Sequence, residues 1–163
     1  MLSDCHQIKQ SEIWKKITHY CAYQERCHQE VKQKLYQLGV KGMQADAYIA
    51  CLIQENYLNE ERFAVQFALG KFRINKWGKR KIEMALQQKQ ISAYLIRKAL
   101  QHIDTDAYLD ALKKQMQVKL SQNKARSLPE LKQKIWSYFL QRGYEAACIE
   151  QVWNTLQHLK DAY

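Results

Sequence analysis

Residues 57–91 read YLNEERFAVQFALGKFRINKWGKRKIEMALQQKQI, the pattern of two helices joined at a glycine. Asn59 is placed to cap the first, its side-chain oxygen accepting a backbone N–H that the opening turn leaves unpaired. Glu60 and Glu61 follow where the positive end of the helix dipole favours acids. Phe63, Phe67 and Ile74 recur at helical spacing and predict one buried face. Gly78 allows the turn, and Ile82 with Leu86 predicts the buried face of the second helix. The same region holds the densest positive charge. Lys71, Arg73, Lys76, Lys79, Arg80 and Lys81, then Lys89, Arg97 and Lys98, stand against the single acid Glu83.

The whole chain extends this reading. It has 163 residues with one Pro and five Gly, too few turn formers for an all-β protein, so the fold class is all-α. A formal charge of +10, clustered rather than spread, favours an anionic partner: nucleic acid, an acidic protein surface or anionic lipid. Apolar runs are short and broken by Gln, Glu and Lys, which excludes a membrane span. The opening MLSDCHQIKQ has no apolar signal core, so a cytoplasmic location is expected. Cys5, Cys21, Cys27, Cys51 and Cys148 are odd in number and lack a CxxC pair, which reads as free thiols in a reducing compartment.

Residues 1–10 read as a loose start. Ser11 caps a helix with Ile13, Trp14, Ile17 and Cys21. A helix from His28 follows with Val31, Leu35 and Leu38, stopped by Gly39. The third carries Tyr48, Ile49, Leu52 and Ile53. After residues 57–91, Ser92 caps a helix with Leu95, Ile96, Ala99 and Leu100. Asp104 and Asp106 open one with Leu109, Leu112, Met116 and Leu120. Residues 121–127, SQNKARS, lack apolar anchors and predict a flexible loop. Ser127 with Glu130 forms a capping-box pattern, with Pro129 in the first turn. That helix carries Ile135, Tyr138 and Phe139 to Gly143, and the last carries Ile149, Val152, Trp153 and Leu156.

These helices repeat. Val31, Leu35 and Gly39 match Ile82, Leu86 and Gln90, and again Ile135, Phe139 and Gly143, at spacings of 51 and 53 residues. Ile49, Leu100 and Trp153 then fall ten positions beyond each turn. The expected architecture is three tandem three-helix repeats in an elongated, curved row: 11–57, 58–103 and 104–163. Such a row suits binding along an extended partner better than enclosing a small substrate.

Three segments carry a family resemblance. Tyr57-Leu58-Asn59-Glu60-Glu61-Arg62-Phe63-Ala64 resembles the opening of a family's second repeat. Trp77-Gly78-Lys79-Arg80-Lys81-Ile82, with Leu86 and Lys89-Gln90-Ile91, resembles its Gly-basic-basic-x-Ile…Leu…Lys-Gly-Ile segment. Lys134-Ile135 through Arg142-Gly143-Tyr144, with Ile149, resembles its third repeat. The family is RecX, regulators of the RecA recombinase, and the resemblance covers about residues 20–157. Gln90 stands where Gly is common, and Cys27 where a Ser often caps. The resemblance implies a non-enzymatic protein that binds in the groove of the RecA–single-stranded-DNA filament and inhibits ATP hydrolysis, strand exchange and filament growth. It implies a RecA partner with single-stranded DNA, or alternatively double-stranded DNA, and a monomer without membrane contact or cofactor. A duplex-binding helix-turn-helix regulator is the alternative function.

The candidate partner or nucleic-acid surface is Lys71, Arg73, Lys76, Lys79, Arg80 and Lys81, continued in the third repeat by Lys113, Lys114, Lys124 and Arg126, with Lys119, Lys132 and Lys134 extending the same stripe. Three bases at a helix start oppose the dipole, a cost relieved if an anion is met there. Trp77, inside this charge, either stacks on a base or packs between helices. Trp14, Trp136 and Trp153 follow apolar patterns and read as core. His19, Cys21, Cys27 and His28 invite a zinc reading, but lack the tight cysteine pairs of structural sites. No metal is therefore expected. No phosphate-binding glycine loop, His-Glu-x-x-His or nucleophile elbow is present, so no catalytic residue is assigned.

Overall fold

The computed structural model describes residues 2–122 and 127–161. Among these residues every regular element is a helix: α1 Leu2–Lys9, α2 Glu12–Tyr23, α3 His28–Gln37, α4 Gly42–Gln54, α5 Glu60–Arg73, α6 Lys79–Gln88, α7 Ala93–Gln101, α8 Thr105–Gln122, α9 Leu128–Gln141 and α10 Ala146–Asp161. Helices α2–α4, α5–α7 and α8–α10 form three three-helix units in tandem.

Side-chain caps start the helices as their sequences require. Ser11 accepts from Trp14 N–H, Asn59 from Arg62 N–H, Ser92 from Leu95 N–H and Ser127 from Glu130 N–H. Asp104 does the same for Ala107. Cys27 gives α3 no side-chain cap of this kind; its own N–H is met by Glu30 Oε2 at 3.4 Å.

The middle helix of each unit ends in one shared geometry. Gly39, Gln90 and Gly143 have φ of 87°, 62° and 84°. The next N–H reaches back to the carbonyl five residues earlier: Val40 to Leu35 (2.9 Å), Ile91 to Leu86 (3.2 Å) and Tyr144 to Phe139 (3.0 Å). All six of these residues are buried, so each cap closes a hydrophobic contact. Gln90 thus neither tightens the turn nor lengthens the helix; it adopts the left-handed state itself.

The core divides unequally. One cluster lies in the first unit and α1, around Trp14, Ile17, Leu35, Tyr48 and Leu52. The other runs without a break through the second and third units, from Phe63 to Leu156. Cys27 is the first-unit residue in that second cluster. The first joint is otherwise polar: Arg62 Nε donates to Glu25 Oε1 (2.8 Å), Lys89 Nζ meets Glu30 Oε1 (2.7 Å) and His28 N–H meets Glu60 Oε1 (3.4 Å). Partly exposed pairs of this kind each contribute about 1 kcal/mol or less.

The second joint is a backbone contact. The Gly78 N–H donates to the Arg142 carbonyl (2.8 Å) and the Arg80 N–H to the Gly143 carbonyl (3.0 Å). A Cβ on Gly78 would lie 2.2 Å from the Gly143 carbonyl carbon, and one on Gly143 would lie 2.4 Å from Lys81 Cβ. Only two glycines let these turns touch.

Four expectations need correction. Residues 2–9 are helical rather than loose, because α1 is held on α4 by a Cys5–Cys51 disulfide and a Lys9–Glu55 ion pair. That disulfide leaves Cys21, Cys27 and Cys148 as the free thiols, not all five. Helix α8 continues through Gln122, so the predicted loop begins later; residues 123–126 lie outside the described residues. Ile74 is 81% exposed, because the inward stripe of α5 is Ala64, Ala68 and Phe72, and Ile74 sits past its last turn.

Gly78→Ala should destabilise the fold by about 3 kcal/mol in urea unfolding, since backbone lies in the way. Gly70→Ala, inside α5 with nothing within 4 Å of the new methyl, should stabilise it by about 0.5–1 kcal/mol. Unfolded without reductant, the chain should titrate three thiols, and five after reduction.

Candidate functional site

The N-terminus of α6 meets the C-terminus of α9. Two of its free N–H groups are taken by α9's terminal carbonyls. A third, Lys79 N–H, donates to the Tyr108 hydroxyl (3.0 Å), which donates to Glu145 Oε2 (2.5 Å). Tyr144 is buried beside Tyr108, with ring centroids 5.1 Å apart. Its hydroxyl donates to the Lys76 carbonyl (3.3 Å) and accepts from Gln115 Nε2 (2.8 Å). The anion that the α6 start requires is thus supplied from within the chain, by α9's negative end and, through Tyr108, by Glu145.

Around this joint lies a surface of cations and rings. Lys71 Nζ and Lys81 Nζ stand 5.0 and 4.8 Å from the Trp77 ring centroid. Lys79 Nζ is 5.0 Å from Tyr108. Arg142 donates from Nη1 to the Asn75 carbonyl (3.1 Å) and lies over Tyr138, which Lys119 also covers at 4.4 Å. Such contacts hold long side chains in place while their charge stays unneutralised. Among the described residues Lys71, Arg73, Lys76, Lys79, Arg80, Lys81, Lys119 and Arg142 make no carboxylate ion pair. Lys9, Arg62, Lys89, Lys98, Lys114, Lys132 and Lys134 do.

The predicted residues fall into three groups. Lys71 to Lys81 gather at the joint, with Arg73, Lys76 and Arg80 exposed and the others half-buried. Lys113 lines a different groove, between α8 and α10, with Asp106 and Asp110, and Lys114 is paired with Asp110 at 3.8 Å. Lys124 and Arg126 lie outside the described residues. Trp77 is half-buried against the core with two ammonium groups on its ring, which favours the packing alternative. Sequence reading did not place Arg142 or Tyr138 at this site. Both lie in the third unit, and only the contact between the turns at Gly78 and Gly143 brings them to this surface.

Cys21 and Cys27 belong to different core clusters. Among the described residues no three His, Cys, Asp or Glu side chains are placed to hold a metal ion. None of the described helices is long and apolar enough to cross a membrane.

Burial raises the Tyr108 phenol above its ordinary value, and its bond to Glu145 raises it further. Burial likewise raises Tyr144 and pushes the Cys21 thiol up to about 11. These groups stay neutral in the fold but ionise in the unfolded chain near pH 9 to 10, so the stability they contribute is present below pH 9 and lost as pH rises. The melting temperature should therefore fall between pH 9 and 11. Tyr108→Phe should cost about 1–3 kcal/mol at pH 7, by stranding Lys79 N–H and Glu145. It should also make the alkaline fall shallower.

Comparison with known proteins gives one result. The model of the RecX second three-helix domain matches residues 59–100, and that of the third matches residues 106–153. The regulatory protein RecX of Lactobacillus gasseri is 31% identical over 142 residues, covering 87% of this chain and 52% of its own length. That of Clostridium perfringens is 28% identical over 133 residues, covering 78% and 62%. The chain thus spans about half the length of most curated relatives it matches. The crystal structure of RecX from Lactobacillus salivarius superposes with a TM-score of 0.82 at 18% identity, over 96% of this chain and 99% of that one. A second crystal structure, of a regulatory protein RecX, gives 0.80 at 16% identity, over 90% and 73%. Two consecutive domain models across more than half of the chain, on the three-helix units the structure shows, make this chain a member of the RecX family of regulatory proteins.

Proposed function

We propose that the chain regulates a RecA recombinase by lying along the RecA–single-stranded-DNA filament and holding it in one state. It acts as a monomer in the cytoplasm and without catalytic chemistry of its own. The observation that carries this reading is the joint between the second and third units. Lys71, Lys76, Arg80, Lys81 and Arg142 surround a hydrogen-bonded backbone contact too close for any side chain, and none has a carboxylate partner among the described residues. Cations on a rigid frame lose little freedom when they meet an anionic groove, so more of the attraction survives as affinity. In this reading the three units in tandem lie across neighbouring filament subunits. Subunits tied together cannot make the movements that ATP turnover, strand exchange and end growth require.

The test is ATP hydrolysis by the host RecA on single-stranded DNA with the chain titrated in. Hydrolysis should fall, and the effect should weaken as salt is raised. Lys76→Glu with Arg80→Glu, both exposed positions, should relieve it by tenfold or so in the concentration required, on the order of 1–2 kcal/mol for two charge contacts. An active filament left unchanged by a wide excess would refute the recombinase reading, leaving a direct nucleic-acid binder.

A further inference from the structure

A second aromatic and basic surface lies in the first unit, away from the joint just described. Lys16, His19, Tyr20 and Tyr23 follow one another along α2 at spacings that put them on one face. Lys34 and Leu38 form the opposite wall, and the groove between is about 460 Å³ with a mostly apolar lining. Tyr23 is 81% exposed, at the last position of α2. Tyr20 is held differently. It packs against the first core, and the Arg26 guanidinium lies 4.1 Å from its ring centroid, with Lys34 Nζ at 5.6 Å.

No acid lines this groove, and its two lysines, Lys16 and Lys34, make no ion pair among the described residues. An apolar peptide seated here would cover two cations and give them nothing. An anion without a flat apolar part would leave the tyrosine and leucine wall unused. The ligand that satisfies both is a flat ring on a phosphate chain. A duplex keeps its rings stacked inside, so the ring must come from an unpaired strand.

We propose that this groove is a binding subsite for single-stranded nucleic acid, with one base stacked on Tyr23 over Leu38 and the flanking phosphates on Lys16 and Lys34. The subsite rests on the nucleic-acid half of the function proposed above, but it operates without recombinase. It gives the first unit a contact of its own, across a joint made mainly of ion pairs.

The experiment is fluorescence anisotropy of a labelled oligothymidylate with the whole chain and no recombinase, beside a duplex of equal length. Tyr23→Ala should weaken single-strand binding by about 5-fold or more and leave the duplex unchanged. Tyr23→Phe should bind as the parent does, because the ring and not the hydroxyl makes the contact. Lys34→Ala should lower the salt slope by about 0.7. Tyr23 is exposed, so circular dichroism and melting should match the parent in every variant at that position. Parental affinity in Tyr23→Ala would overturn the proposal. Equal weakening on single strand and duplex would overturn it too, since only general charge attraction would then remain. Parental oligonucleotide affinity together with lost inhibition of the recombinase would assign the groove to a protein and also overturn it. A chain that binds oligothymidylate through Tyr23 yet leaves the recombinase untouched would uphold the subsite and refute the filament reading instead.

Discussion

The structure depends on the end-to-end meeting of α6 and α9. A helix start carries unpaired N–H groups and a helix end carries unpaired carbonyls. Here the two are brought together by Gly78 and Gly143, so that two N–H groups of one find two carbonyls of the other. Tyr108 completes the contact by taking Lys79 N–H and passing a hydrogen bond to Glu145. With these donors and acceptors satisfied, the hydrophobic cores of the second and third units merge into one.

This arrangement explains an oddity of charge. Lys79, Arg80 and Lys81 open a helix whose dipole should repel them. The carbonyl end of α9 offsets that repulsion locally, so the bases need no external anion to be tolerated. Their charge is nevertheless not consumed, because carbonyls are dipoles rather than counter-ions. Rings take the place that carboxylates occupy elsewhere on the protein: Trp77 beneath Lys71 and Lys81, Tyr138 beneath Arg142 and Lys119. The face is rigid and positive together, which suits an extended anionic partner.

The two joints differ in kind. The one between the second and third units is backbone and aromatic core, short-range and insensitive to salt. The one between the first and second is built on Arg62–Glu25, Lys89–Glu30 and His28–Glu60, with Cys27 as its buried anchor. Partly exposed polar pairs are more sensitive to salt than backbone hydrogen bonds and aromatic packing, so the first joint should loosen with salt before the second does. Its own core is closed separately by α1, pinned through Cys5–Cys51.

Helices α2–α10, their caps and the repeat were legible in the sequence because all three are local. Asn59, Ser92 and Ser127 cap within three residues, and the apolar pairs before Gly39, Gln90 and Gly143 lie within one helix. The basic run from Lys71 to Lys81 was legible for the same reason. Lys119 was among the third-repeat bases expected to extend it, but its completion by Arg142 and Tyr138 was not legible, because those residues arrive from the end of α9 across a contact more than fifty residues away in the chain. Likewise the exposure of Ile74 and the docking of α1 turn on which face a neighbour covers. A sequence states which groups each helix presents. Only the packed helices decide which of those groups remain uncovered, and therefore which charges are left for a partner.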